Sequence, residues 1–306
     1  MIMSPTLNEE LVVEFVKFTE EVQRRSPRTV RTYAYVLDLY LRWLAGKPII
    51  DVTVEDVEEF GRRQRGVLKA STATIRNNIV IVRCFHSWLF ERKGMPVAPL
   101  RTVVIPQAPK ARPKPMDDDV WRKVWLSQLE PADRLWLGLG FFAGLRRIEI
   151  VTLECADVDL ERQELSLVRK GGVHANVEYG AIYGLLSDAL PHLVGEHDWC
   201  AMFSDWVGLR QLIREATVWP SSRCDVEQEG NALNKRCEAI SRRLSLPTGA
   251  LTPHRLRHSC ATNLLRAGIE VGHIQRQLSH SSINMTQRYL QFSGELARAR
   301  QQRKEP

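Results

Sequence analysis

The chain has 306 residues, 44% hydrophobic and 26% charged, which is long for one compact core and comfortable for two domains. Its formal charge is +7 and its pI about 9.2, with arginine supplying most of the positive charge, a balance that favours a nucleic-acid partner without deciding it. No window approaches the roughly 18 uninterrupted apolar residues of a membrane span, and six scattered cysteines without a Cys-x-x-Cys pair suggest neither a zinc ribbon nor a disulfide framework.

Met1 to Phe18 carries Glu9, Glu10 and Glu14 among apolar residues, which reads as an amphipathic helix and not a secretory signal. The expected location is therefore cytoplasmic, with reduced thiols. Leu7 to Val22 has apolar residues at helical spacing in Leu11, Phe15 and Phe18. Ser26-Pro27-Arg28-Thr29 starts a second helix, with proline in its first turn, that places Tyr33, Val36, Leu37, Tyr40, Leu41 and Leu44 on one face and ends near Gly46. Thr53 caps a third helix running to Phe60, and Ser71 to Phe90 forms a fourth. Together these predict a small helical bundle over residues 1–95. Arg24, Arg25, Arg28, Arg31, Arg62, Arg63 and Arg65 fall at its helix ends and loops, where a DNA backbone could be gripped.

Residues 96–116 hold Pro96, Pro99, Pro106, Pro109, Pro113 and Pro115 with Arg101, Lys110, Arg112 and Lys114 and no acidic residue. Repeated proline blocks regular helix, and a basic run of this kind is solvated or laid along an anion, so the stretch reads as an extended linker. From 117 to 306 the pattern predicts a second domain. Asp117 to Leu126 and Ala132 to Ala143 are helical, Gly144-Leu145 turns, and another helix starts near Arg146. Leu165 to Val168 and Val173 to Ile182 alternate around Lys170-Gly171-Gly172, predicting a β-hairpin with Lys170 at or beside its tip. Helical patterns return from Leu185 to the end.

Four stretches carry the chemistry. In Gly144-Leu145-Arg146-Arg147-Ile148-Glu149-Ile150, Arg146 and Glu149 share a helix face, either as a surface ion pair or as an anion-directed arginine braced by a carboxylate. In Thr252-Pro253-His254-Arg255-Leu256-Arg257-His258, proline at the first helical position puts His254 where free N–H groups and the helix dipole attract phosphate, and Arg257 projects from the same face. His254 with His258 could instead suggest zinc, but the His-Glu-x-x-His glutamate and an obvious third ligand are missing, so no metal and no cofactor are expected. The remaining two are Leu278-Ser279-His280-Ser281-Ser282 and Thr286-Gln287-Arg288-Tyr289.

In this order the four resemble the tyrosine recombinase (phage integrase) family. Its catalytic pattern is Gly-Leu-Arg with a nearby acidic residue, a hairpin lysine, His-x-Leu-Arg-His, Leu-Gly-His and a tyrosine. The matching positions are Gly144-Leu145-Arg146 with Glu149, Lys170, His254 to His258, Leu278-Ser279-His280, and Tyr289. Two departures are Leu-Ser-His for Leu-Gly-His, and Arg169-Lys170-Gly171-Gly172 where the family's hairpin reads Gly-Lys-Gly with a further Lys and Arg soon after. The resemblance covers nearly the whole chain, and implies a mainly α fold with a small antiparallel sheet. An N-terminal helical, SAM-like core-binding domain would precede the catalytic domain.

It further implies a site-specific recombinase that cuts and rejoins double-stranded DNA through a 3′-phosphotyrosyl intermediate on Tyr289. Arg146 and Arg257 would clamp the phosphate, His254 and His280 would hydrogen-bond it or move the tyrosine proton, and Lys170 would protonate the leaving 5′-oxygen. Assembly as a tetramer on two DNA sites is implied, with 295–303 as a short helix and charged tail against a neighbouring subunit. The alternatives are a type IB topoisomerase-like relaxing enzyme and a DNA-binding accessory protein without catalysis.

Overall fold

The computed structural model describes residues 7–97, 100–107, 113–169, 173–194, 199, 201 and 226–278. The chain divides into two compact units, Met1–Lys110 and Ala111–Pro306.

The first unit holds α1 (Leu7–Glu21), α2 (Pro27–Leu44), α3 (Val54–Gly66) and α4 (Thr72–Lys93), with single 3-10 turns at Ile49–Asp51 and Leu100–Thr102. The starts of α2, α3 and α4 fall where the sequence predicts, and each is capped by a side chain. Ser26 accepts from the Thr29 amide, Ser71 from the Thr74 amide, and Thr53 forms a reciprocal capping box with Asp56. An aromatic cluster fills the interior: Phe15 packs on Phe85 and Trp88, and Tyr40 on Phe60. All seven arginines expected to face DNA are exposed.

The stretch read as a linker divides between the two units. Val97, Leu100 and Val103 are buried in the first core, and Met116 in the second. Proline prevents a long helix there, but valine and leucine between the prolines still find apolar partners.

The described residues of the second unit form helices and one small sheet. In chain order it contains α5 (Asp118–Trp125), α6 (Pro131–Phe141), α7 (Arg147–Val151), β1 (Val158–Asp159), β2 (Glu164–Arg169) and β3 (Val173–Glu178). There follow α8 (Tyr179–Ala189), α9 (Pro191–Val194), α10 (Val226–Arg243), α11 (Pro253–Arg266) and α12 (Val271–Leu278). The strands run antiparallel in the order β1-β2-β3, with Leu165 opposite Val177 and Leu167 opposite Ala175.

The second strand of the expected hairpin stops at Glu178, four residues short of Ile182, where α8 begins. Tyr179, Ile182, Tyr183 and Leu186 are buried at helical spacing, so core burial on one helix face overrides the alternation seen in the sequence. The strand Val158–Asp159 adds an element that its two residues are too few to signal.

α6 is the central helix, buried at every position from Asp133 to Phe141. Trp121 of α5 stacks flat on Phe141 with ring centroids 3.6 Å apart, and Phe142 meets Trp125 and Tyr183 edge-on. α11 crosses α6 closely at Gly140, where an added Cβ would lie 3.0 Å from Leu256. That contact brings the start of α11 beside the end of α6.

Candidate active site

α6 ends at Phe141 and the chain reverses at Gly144, whose φ of +69° is left-handed. Glycine is required there twice over, because a Cβ would also run into Leu278 and lie 3.0 Å from the Cys260 sulfur. The turn delivers Arg146 to the N-cap of α7. Glu149, one turn on, accepts from the Arg146 backbone N–H at 2.8 Å and from its Nη1 at 2.7 Å. With 4% of its surface exposed, Glu149 is a buried carboxylate inside this pair, and the exposed ion pair that spacing alone allows is not what forms.

α11 supplies the opposing wall. Thr252 accepts from the Arg255 amide and Pro253 occupies the first helical position, so His254 stands in the first turn. Arg257, 4% exposed, donates from Nη1 to the Gly144 carbonyl and from Nη2 to the Leu278 carbonyl, each at 2.5 Å. Its Nη1 is also 3.8 Å from Glu149 Oε2. One carboxylate therefore stands against two guanidiniums, from segments more than a hundred residues apart in the chain. The group keeps an excess positive charge, which suits an anion with two non-bridging oxygens.

His254 senses that charge. Partial burial, then Arg257 and Arg146, hold its imidazole below the ordinary histidine pKa. His258 packs edge-on to it at 4.3 Å, and burial followed by His254, Arg257 and Arg255 pushes His258 down to about 4. Both surroundings therefore favour the neutral imidazole, and most strongly at His258. Among the described residues, no three His, Cys, Asp or Glu side chains gather as metal ligands.

Of the residues expected from sequence, Arg146, His254 and Arg257 converge, with Glu149 between the arginines. Lys170, His280 and Tyr289 lie outside the described residues, as do 295–303. Arg169 pairs with Val173 at the described end of the hairpin, and α12 closes at Leu278, two positions before His280 in sequence. Sequence reasoning missed the Gly144 and Leu278 carbonyls that seat Arg257. Main-chain acceptors carry no residue-type signal, and only the positive φ demanded of a glycine hints at one of them.

Residues 122–295 match the model of the phage integrase family, and residues 12–93 that of the phage integrase N-terminal SAM-like domain. The tyrosine recombinase XerC of Vibrio parahaemolyticus serotype O3:K6 is 26% identical over 289 residues, covering 90% of this chain and 86% of the relative. XerC of Myxococcus xanthus is 26% identical over 303 residues, covering 93% and 94%. Among solved structures, a lambda integrase (75–356) dimer bound to a COC′ core site shares the fold at a TM-score of 0.70. It is 14% identical, with coverage of 92% of this chain and 94% of that one. XerH bound to palindromic difH in a post-cleavage complex aligns at 0.69 with 17% identity, covering 94% of this chain and 83% of that one.

Proposed function

The chain belongs to the tyrosine recombinase (phage integrase) family, and on that premise we propose that Arg146, Arg257 and His254 cradle the scissile phosphate of a DNA site while Tyr289 attacks it. The enzyme is a site-specific DNA recombinase that breaks and rejoins strands. The observation that carries the site assignment is the buried Glu149 carboxylate, which holds two arginines from distant segments side by side at 2.7 Å and 3.8 Å.

Attack by the Tyr289 phenol forms a phosphorus–oxygen bond as the bond to the 5′-oxygen breaks, leaving a 3′-phosphotyrosyl link and a 5′-hydroxyl. The bond energy is retained, so a 5′-hydroxyl of a partner strand reseals the link without ATP. Charge developing on the non-bridging oxygens is met by Arg146 and Arg257, already anchored and in need of little reorganisation. Neutral His254 accepts a hydrogen bond or proton at the attacking side, aided by His280, and Lys170 protonates the departing oxygen.

DNA is the partner. Residues 1–95 grip its backbone through the exposed arginines of the helical bundle, 96–116 connect, and 117–306 carry the chemistry. Assembly is as a tetramer on two sites, with the segment after Tyr289 docked on a neighbour, and the enzyme works in the cytoplasm. No described helix is long and apolar enough to cross a membrane.

The test is covalent trapping. Incubated with its cognate site carrying a nick beside the cleavage point, the protein should form a denaturant-resistant DNA adduct as the short cut fragment diffuses away. Adduct formation should survive chelation by EDTA. An adduct formed equally well by Tyr289→Phe would show that another residue is the nucleophile.

A further inference from the structure

α11 has a second occupied face. At about 100° per residue, Arg255 and Ser259 lie about 40° apart and roughly 150° around the helix from the side shared by His254 and Arg257. On that far side the helix holds the segment by which the chain enters the second unit. Arg255 donates from Nη2 to the Pro115 carbonyl at 2.9 Å and from Nη1 to the Gly249 carbonyl at 3.1 Å. The Ser259 hydroxyl accepts from the Met116 amide at 2.7 Å and donates to the Arg255 carbonyl at 2.9 Å. The Met116 side chain is buried in the core at 5% exposure, and Pro113 is buried as well. Donor and acceptor of the 115–116 stretch are thus both fixed to one helix, and the apolar side chain beside them blocks sliding.

We infer that Arg255 and Ser259 are positioning residues for strand cleavage, which clasp residues 115–116 and so set the height and rotation of α11 under His254 and Arg257. The inference rests on the recombinase reading above. An α-helix moves as a short rod, so a shift at Arg255 and Ser259 carries to the residues interleaved with them. Arg257 is held on its other side by the Gly144 and Leu278 carbonyls, and the clasp adds a polar constraint on the far face of a helix that also packs on α6 at Leu256 and pairs with Asp118 through Arg266. A displacement of about 1 Å at a phosphate clamp costs on the order of a hundred-fold in rate.

The test is single-turnover cleavage of a nicked cognate site at saturating protein. The rate constant, the reacting fraction and the Kd for the same DNA are measured for wild type, Ser259→Ala, Ser259→Thr and Arg255→Gln. Mispositioning lowers the rate constant, whereas partial unfolding lowers the reacting fraction. Ser259→Ala and Arg255→Gln should cut about ten- to a hundred-fold more slowly at full reacting fraction, with Kd within about two-fold. Ser259→Thr, which keeps the hydroxyl, should recover most of the rate. A wild-type rate constant in Ser259→Ala, or a loss confined to reacting fraction or affinity, overturns the inference. Absence of an adduct from wild type would instead overturn the recombinase reading beneath it.

Discussion

At the scale of single residues, Glu149 decides how the two arginines behave. A carboxylate 4% exposed would be costly alone, and two guanidiniums that close would repel without it. The cluster is held because the three are satisfied together, and one carboxylate against two guanidiniums leaves one positive charge over, which suits an anion. Arg257→Lys keeps the charge but loses the fork that reaches two carbonyls. It should bind DNA within a few-fold of wild type in a gel-shift titration while cutting about a hundred- to a thousand-fold more slowly. Equal loss of binding and cleavage would mark Arg257 as a docking residue. His254 adds a pH signature. Its pKa lies below the ordinary value, and neutral imidazole is the form that accepts a proton, so the acid limb of cleavage belongs below about pH 6.5. Rate constants that already decline between pH 8 and 7 would rule out His254 as the group behind that limb.

At the scale of elements, the site is assembled by a turn and a cap. Gly144 combines a left-handed φ with contacts to Leu278 and Cys260 that leave no room for a methyl group. Gly144→Ala should cost roughly 2–5 kcal/mol, the sum of a left-handed penalty and overpacking, read as a lowered urea midpoint. Because the same peptide presents the carbonyl that seats Arg257, the folded fraction should also cut slowly. Thr252 is a simpler case. Its side chain caps α11, and Thr252→Ala should remove about 1 kcal/mol of stability while loosening the turn that bears His254. Ser or Asp at that position should restore the midpoint.

Across the whole molecule, each unit holds a histidine whose surroundings favour the neutral form, fully buried His86 in the first and partly buried His258 in the second. His86, 1% exposed and hydrogen-bonded with the Tyr40 hydroxyl at 3.1 Å, is pushed down to about 4 by burial, the same value as His258 in the second unit. The unfolded chain takes up protons on both near pH 6.5, while the folded chain does so only near pH 4. Between those values the unfolded state binds more protons. Stability is therefore full above about pH 6.5 and is lost progressively as pH falls toward 4. His86 contributes on the order of 3 kcal/mol to this loss, and the more exposed His258 less. Thermal unfolding between pH 7 and 4.5 should show Tm falling in that window, and His86→Gln should flatten the response of the first unit. A Tm constant from pH 7 to 4.5 would contradict burial of neutral imidazoles.

The sequence by itself determined the helical bundle, its helix starts at Ser26, Thr53 and Ser71, and the proline-rich stretch after it. It also marked the residue types of the candidate site, because an arginine at a glycine turn and a histidine behind Thr-Pro are local signals. Those signals act within a turn or two of the chain, through capping bonds, backbone restriction and helical period. Only the tertiary structure decided that Glu149 stands against both arginines, that main-chain carbonyls of Gly144 and Leu278 seat Arg257, and that α8 takes over from β3 at Tyr179. Each depends on segments distant in sequence meeting in one core, where burial and shared acceptors outweigh local preference. The far face of α11, clasping residues 115–116, belongs to the same class: serine and arginine at those positions carry no mark until the entering chain lies against them.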